Sequence, residues 1–305
     1  MLSVGSDSGG STTLAVRPQL SLELGCDARG KTVVQSRYMA YPLSVSPLFR
    51  REANGVDPAR DRRAYLYRMN TSPGLLAGDA LKMSVKLNAG SSLYLMDQAA
   101  TKVHQMPGGG AASPNATVTY DIVVDDQATL EFLPEPLILF ADSALRQTTQ
   151  ITLYPSSGLS WGEIVLPGRL ARGESYQFRE YFSRVQLRSS DDGSIFFVDA
   201  MKLLGRENRF VRSDLFADES VLGTLILVLP PESAATENLA MLSRQIDSIA
   251  FNRDTIELAS SVLPGGRGVF VRAIASTTRE LQSCFKSAVN CVRKLRQQFP
   301  LPYSL

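Results

Sequence analysis

The residues that most resemble a chemical motif lie near the start of the chain. Residues 25–32, with the sequence GCDARGKT, have the spacing of a phosphate-binding loop, in which Lys31 and Thr32 would serve a nucleotide. Such a loop needs a strand before it and a helix after it, so that N–H groups at the helix start meet the phosphates. Residues 20–24 alternate as a strand does, but residues 33–38 (VVQSRY) show no helical period. The context therefore predicts a turn between two strands, with nucleotide binding as the alternative.

The other reactive residue types argue against most catalytic and metal centres. His104 is the single histidine among 305 residues, which argues against histidine cages for zinc and against histidine-based triads. Cys26, Cys284 and Cys291 are odd in number and form no Cys-x-x-Cys pair, as expected for thiols in a reducing compartment. No set of residues assembles a nucleophile, a base and an oxyanion hole. We therefore expect a β scaffold that is not an enzyme.

Composition and charge narrow the choice of partners and compartment. The chain carries 32 Lys and Arg against 30 Asp and Glu, so no basic field is available to hold a nucleic acid. No run approaches the ~18 apolar residues that suggest a membrane span. The first residues, MLSVGSDSGGS, lack the basic and apolar regions of a secretory signal. We expect a cytoplasmic protein with a flexible tail over residues 1–18 and one domain over residues 19–305.

The first two thirds of the chain alternate apolar and polar residues, as strands with one buried face do. One pattern (apolar-x-apolar, five residues, apolar-x-apolar) occurs three times. The three units are Val85/Leu87/Leu93/Leu95, Ile122/Val124/Leu130/Phe132 and Ile151/Leu153/Leu159/Trp161. Each unit would be a hairpin whose apolar face must be covered by the next unit, as in β-solenoids. A plain β-sandwich shows the same alternation and stays open as the alternative.

The last third changes to a helical period. Residues 232–250 carry Leu and Ile at helical spacing, and residues 276–298 carry a second apolar stripe. Thr277 and Glu280 form a capping box at the start of that second helix, and basic residues near its end suit the helix dipole. Between the helices, residues 265–272 predict a glycine turn that enters a strand. The sequence thus predicts a mainly β fold, a β-helical body of stacked hairpins with two C-terminal α-helices.

Several acids beside these strands could face an internal polar channel. Glu135 lies between two prolines, which fix it in an extended segment, and Asp142 follows the apolar run after it. Asp199 ends another apolar run, and Asp79 ends a glycine turn, where capping that turn is the simpler role. Acids in such places are more often solvated, and a buried one needs a partner. The residue pattern leaves both interpretations open.

The order of short segments along the chain is more specific than any one of them. The segments are GKTV (30–33), YPLSV (41–45), SPGLLAGD (72–79), QAATKV (98–103), LPE (133–135), ILF (138–140), WGE (161–163), GRLARGE (168–174), GTL (223–225) and GVFVRA (268–273). At these spacings the chain strongly resembles the UreD/UreH family of urease accessory proteins, from about Leu20 to Leu295. That resemblance implies a β-helical, helix-capped fold and a protein that matures urease without catalysing a reaction.

The resemblance also implies partners, a cargo and site residues. Such a scaffold would bind apo-urease, bind the accessory protein UreF directly and the GTPase UreG through UreF, and form a dimeric assembly within that complex. No cofactor would stay bound; Ni²⁺ would pass transiently, along Asp79, Glu163 and Asp199. The residues expected on the polar passage or at partner contacts are Ser72, Gln98, Thr101, Lys102, Glu135 and Asp142. A conduit should avoid imidazole and thiolate, which hold Ni²⁺ tightly, and this chain has few of either.

Two other functions stay open on the residues alone. One is a phosphate-loop nucleotide hydrolase that uses Lys31 and Thr32. The other is a plain carbohydrate- or protein-binding β module. Loss of nucleotide binding on Lys31→Ala would favour the first, and urease activation without this chain would favour the second.

Overall fold

The computed structural model describes residues 17–50, 62–108, 113–207, 221–249 and 255–301, so that most of the predicted N-terminal tail lies outside the described residues. The strands are β1 (Leu20–Cys26), β2 (Thr32–Met39), β3 (Leu43–Val45), β4 (Ala64–Asn70), β5 (Ala80–Leu87), β6 (Ser92–Asp97), β7 (Thr101–Val103), β8 (Ala116–Val124), β9 (Thr129–Leu133), β10 (Leu137–Leu139), β11 (Ala144–Leu153), β12 (Gly158–Leu166), β13 (Glu180–Ser189), β14 (Ile195–Leu203), β15 (Val221–Val228), β16 (Ile256–Val262) and β17 (Gly268–Ala275). The helices are α1 (Thr236–Asp247) and α2 (Thr278–Leu295). Neither helix is long and apolar enough to cross a membrane. The predicted fold class is confirmed.

The strands form two sheets that share one core. The first sheet has the order β14-β13-β11-β8-β5-β1-β2, and the second has the order β16-β17-β15-β12-β9-β6-β4-β3. The short strand β10 joins the second sheet between β12 and β7. The chain alternates between the sheets, so that β5, β8 and β11 lie in the first sheet while β6, β9 and β12 lie in the second. Their neighbours run parallel, as successive coils of a β-helix do.

The three repeated units stack in register. Val85, Ile122 and Ile151 are direct cross-strand partners in the first sheet, and the matching residues of the second sheet align in the same way. The two strands of each unit do not pair with each other, because they belong to different sheets. The prediction that each unit is a hairpin is therefore wrong, because the two strands of a hairpin pair within one sheet. Each unit is an arch that buries its apolar residues between the two sheets.

The C-terminal helices cover the outer face of the second sheet. Their apolar stripes, including Leu242 of α1 and Leu281 and Phe285 of α2, form a second core against that face. The predicted capping box is present at the start of α2. The Thr277 hydroxyl accepts a hydrogen bond from the Glu280 N–H at 3.3 Å, and the Glu280 carboxylate accepts one from the Thr277 N–H at 3.0 Å.

The segment that resembles a phosphate loop is a turn between two antiparallel strands. β1 and β2 pair across it, and the Asp27 carboxylate accepts hydrogen bonds from the N–H groups of Arg29 at 2.8 Å and Lys31 at 2.9 Å. Thr32 begins β2 and is buried, with its hydroxyl accepting a hydrogen bond from the Ser92 N–H at 2.8 Å. Because a strand follows where a phosphate loop needs a helix, the nucleotide-binding alternative is wrong.

Candidate functional site

A window interrupts the second sheet where β9 ends. β9 pairs with β6 as far as Leu133 and with β12 as far as Phe132. The chain then continues through Pro134 and Pro136, which have no N–H with which to extend the ladder. Pairing resumes only at Leu137, where β10 lies between β7 and β12. Between the end of β9 and the start of β10, no strand separates β6 and β7 on one side from β12 on the other. Side chains line this opening, which we call the window.

Four polar residues frame the window. Asp97 and Thr101 lie on its β6–β7 side, Glu163 lies on its β12 side, and Glu135 belongs to the segment between the two prolines. All four line a cavity of about 40 Å³. A cavity of this size has room for at least one water molecule. Of the four, Thr101, Glu135 and Glu163 are residues that the sequence analysis selected, and Asp97 is not.

Two further cavities share residues with the one at the window. Toward the space between the sheets, a cavity of about 30 Å³ shares Asp97 and Thr101. Under α2, on the outer face of the sheet, a cavity of about 390 Å³ shares Asp97, Glu135 and Glu163 and reaches the exposed Gln98. Asp97 lines all three cavities. The three cavities thus form a row that crosses the second sheet through the window.

Glu163 is a buried acid that is held by neutral donors. Its carboxylate accepts hydrogen bonds from the Tyr181 hydroxyl at 2.7 Å, from the Ser183 hydroxyl at 3.2 Å and from the side-chain amide of Gln147. These three donors belong to β11 and β13 of the opposite sheet. Burial raises the pKa of Glu163, and the hydrogen bonds from Tyr181 and Ser183 oppose this only in part. Glu163 therefore brings a charge to the window that no ion pair with a described residue neutralises.

Asp97, in contrast, is paired with a buried arginine. Arg68 and Asp97 are direct cross-strand neighbours on β4 and β6. The Arg68 Nε and Nη2 atoms donate to the two oxygens of Asp97 at 2.6 and 2.8 Å, and its Nη1 atom donates to the Tyr120 hydroxyl at 2.8 Å. Burial acts to lower the pKa of Arg68, but the charge of Asp97 raises it above its usual value. Arg68 thus holds a permanent positive charge between the two sheets, at the edge of the window.

Asp199 lies close to Glu163 but has an ion pair of its own. The sheet register places Glu163, Thr224 and Arg272 side by side on β12, β15 and β17. Arg272 donates to the Asp199 carboxylate at 2.5 Å and to the Thr224 hydroxyl at 2.8 Å. Burial raises the pKa of Asp199, and Arg272 opposes this. Asp199 does not belong to the lining of the three cavities.

The remaining predicted site residues lie away from the window. Asp79 caps its own turn by accepting the Leu76 N–H at 2.8 Å, and the Ser72 hydroxyl bonds within a neighbouring turn. Lys102 is exposed, and Asp142 forms an exposed ion pair with Arg206 at 2.9 Å. Within the described ranges, no three His, Cys, Asp or Glu side chains group so that they could hold a metal ion.

Sequence reasoning missed the Arg68–Asp97 pair, although a signal for it exists. Arg68 follows Leu66 at the next inward position of β4, and Asp97 follows Leu95 in the same way on β6. A charged residue at an inward position of an alternating strand needs a buried partner of opposite charge. Arg68 and Asp97 are two such residues of opposite charge, so an ion pair between them could have been predicted.

Comparison with known proteins places the chain among related sequences. It matches the family model described as "UreD urease accessory protein" over residues 17–303. The urease accessory protein UreD of Trichodesmium erythraeum is 45% identical over 285 residues, which cover 93% of this chain and 97% of that protein. The UreD proteins of Actinobacillus pleuropneumoniae serotype 5b and Cenarchaeum symbiosum are 30% and 27% identical, over 89% and 86% of this chain and 95% and 87% of those proteins. The matched range includes both sheets and both helices.

Proposed function

The chain belongs to the family of UreD urease accessory proteins, and from this premise we propose that it is a scaffold through whose sheet window nickel passes on its way to urease. Membership in the family confirms the resemblance found in the sequence. The observation that carries the nickel path is the row of cavities lined by Asp97, Glu135 and Glu163. These acids lie where the path crosses the second sheet.

The chemistry of the lining supports weak binding of Ni²⁺ during transit. The acidic residues that line the three cavities are Asp97, Glu135 and Glu163, among a mainly apolar lining, and neither histidine nor cysteine is among the lining residues. Nitrogen and thiolate ligands would hold Ni²⁺ more tightly than oxygen ligands do. Burial disfavours the charged form of Glu163 and so raises its pKa. A cation that enters the window stabilises that charge and offsets part of the cost of burying it.

The scaffold part of the proposal concerns protein partners. In the cytoplasm, the chain would bind apo-urease, contact the UreF-type protein directly and reach the UreG-type GTPase through it, within a dimeric assembly. An apolar groove of about 610 Å³ supports a role in binding other proteins. It lies between β14 and the strands β15 to β17 and is lined by Leu222, Leu258 and Ile274 among others. A partner that inserted apolar side chains into this groove would remove its apolar lining from water.

The charge on Glu163 gives the direct test of the nickel path. Glu163→Gln keeps the shape of the side chain and one acceptor oxygen but removes the charge. Its amide nitrogen takes the place of either the oxygen that accepts from Tyr181 or the oxygen that accepts from Ser183 and Gln147. We expect urease matured with this variant to contain several-fold less nickel, as measured by elemental analysis, while the accessory complex still co-purifies. Asp79→Ala and Asp199→Asn test in the same way the two other acids that the family resemblance implicates.

A matched control is available outside the window. Glu174 is also 8% exposed, like Glu163, but it is paired with Arg169 and hydrogen-bonded to the Ala141 N–H at 2.9 Å. Glu174→Gln should leave the nickel content of urease unchanged. If Glu163→Gln also leaves it unchanged, the nickel path is wrong and only the scaffold role is retained.

A further inference from the structure

Arg68 stands where a travelling cation would have to pass. Arg68 lines two of the three cavities, and its partner Asp97 lines all three. Both oxygens of Asp97 accept hydrogen bonds from Arg68. In this state the charge of Asp97 is already compensated by Arg68, and the guanidinium repels any cation that approaches.

We propose that Asp97 and Glu163 form a latent site for one divalent cation, which the guanidinium of Arg68 masks in the resting protein. This inference rests on the proposed nickel path. The site becomes available when Arg68 releases Asp97 and withdraws toward the 30 Å³ cavity, which its side chain also lines. In the resting protein, the guanidinium of Arg68 takes the place of the nickel ion. The window is therefore never left with two uncompensated acids.

The composition of the window fits a divalent cation once Arg68 has moved. Asp97 and Glu163 both line the window cavity, on opposite sides of the gap that β9 leaves. Thr101 and Tyr120 line the same cavity and carry hydroxyl groups, and the Tyr120 hydroxyl is released when Arg68 moves. Carboxylate and hydroxyl oxygens with room for water are ligands that divalent cations accept without being held as tightly as by nitrogen or sulfur.

The contrast with an arginine-locked acid elsewhere strengthens the assignment to the window. Glu131 is also clamped by guanidinium groups, from Arg63 at 3.1 Å and from Arg293. Glu131 does not appear in the lining of the window cavities. Pairing with arginine by itself only compensates the charge of a buried acid, as at Glu131. It also masks a cation site only where the paired acid lines the cavities of the nickel path, as Asp97 does.

The test is a titration of the purified full-length chain with NiCl₂. Trp161 is the single tryptophan, lines the window cavity and packs on Phe132 with 4.9 Å between ring centroids. Paramagnetic Ni²⁺ bound at the window should quench its fluorescence. We expect Arg68→Met to bind one Ni²⁺ at least about tenfold more tightly than the unsubstituted chain, in calorimetry and in Trp161 quenching. Adding Asp97→Asn to Arg68→Met should abolish that gain.

A second variant covers the case in which Arg68→Met does not fold. Arg68→Lys keeps the positive charge but loses the two-pronged contact with Asp97, and it should bind Ni²⁺ with intermediate affinity. The latent site is overturned if no folded variant binds Ni²⁺ more tightly than the unsubstituted chain, or if the gain survives Asp97→Asn. Nickel delivery by Glu163→Gln is a separate measurement. A normal result there overturns the path itself, whereas a failure of the Arg68 series alone overturns only the masking.

Discussion

Glu131 and Glu163 are buried acids on neighbouring strands of one sheet, and they lie in opposite electrostatic surroundings. Glu131 is 2% exposed and Glu163 is 8% exposed, so burial does not distinguish them. Glu131 points to the helix side and accepts a hydrogen bond from Arg293 Nε at 2.9 Å, with Arg63 at 3.1 Å. Glu163 points to the opposite sheet and meets only neutral donors. The role of a buried acid therefore depends on the charge of its partners and not on how deeply it is buried.

The pKa directions of the two acids express this difference. Burial acts to raise both pKa values. For Glu131 the charges of Arg63 and Arg293 outweigh burial, and its pKa is lowered. For Glu163 burial prevails, and its pKa is raised. A compensated acid fastens α2 to the sheet, while an acid without a counter-ion beside a cavity remains available to a cation.

The largest expected effect comes from removing the charge of Glu131. Glu131→Gln leaves the guanidinium groups of Arg63 and Arg293 without their buried counter-ion. We expect a loss of about 3–5 kcal/mol in the free energy of unfolding, measured by urea denaturation. The stability that Glu131 provides is present above its ordinary pKa of 4.5 and is lost as the pH falls through its lowered pKa in the folded protein. The cost of the substitution should therefore shrink in strong acid.

If Glu131→Gln and Glu163→Gln destabilised the protein equally, the comparison would fail. Thr277→Ala at the capping box of α2 is a suitable reference, since it weakens the same helix without touching either acid. Its cost should be about 1 kcal/mol, well below that of Glu131→Gln.

A smaller effect of opposite sign is expected from Glu163→Gln. Because the pKa of Glu163 is raised in the folded protein, the native state binds its proton more tightly than the unfolded chain does. The stability of the unsubstituted protein therefore falls as the pH rises from 4.5 through the raised pKa. Glu163→Gln removes that dependence, so its effect on the free energy of unfolding should become more favourable by about 1 kcal/mol from mildly acidic to neutral pH. Urea unfolding in mildly acidic and neutral buffer measures it, and a difference that does not grow with pH would contradict the account.

The sequence predicted the body of the fold because alternation and arch length repeat. Val85, Ile122 and Ile151 head three patterns of one spacing, and residues at equal positions in the patterns became cross-strand partners. The two prolines around Glu135 predicted only an extended segment, whereas in the structure β9 ends just before them. The sequence could not predict that the end of β9 opens a window in the sheet. The window depends on which strands lie next to β9, and that is decided by the fold.

The charges at the site were harder to predict for the same reason. Glu163 came from the family resemblance, and nothing in the residues around it indicates that its donors come from the opposite sheet. Arg68 and Asp97 are distant in sequence and meet only because β4 and β6 are neighbours in register. The turn before Thr32 shows the opposite case. Its sequence has the spacing of a phosphate-binding loop, but a strand follows it, so it does not form one.

A reversible block of the window tests the nickel path most directly. Thr101 is half-buried and lines both small cavities, so Thr101→Cys places a thiol in the path. Burial raises the pKa of the native thiol of Cys284 to about 12, and it raises the pKa of Cys26 and Cys291 as well. Because Cys26 and Cys291 are half-buried like Thr101, the unsubstituted chain treated with the same bulky methanethiosulfonate is the control for labelling of native thiols. In a purified urease activation mixture, we predict that the labelled variant delivers little nickel and that reduction restores delivery. Nickel delivery at the unlabelled rate by a fully labelled variant would contradict the account.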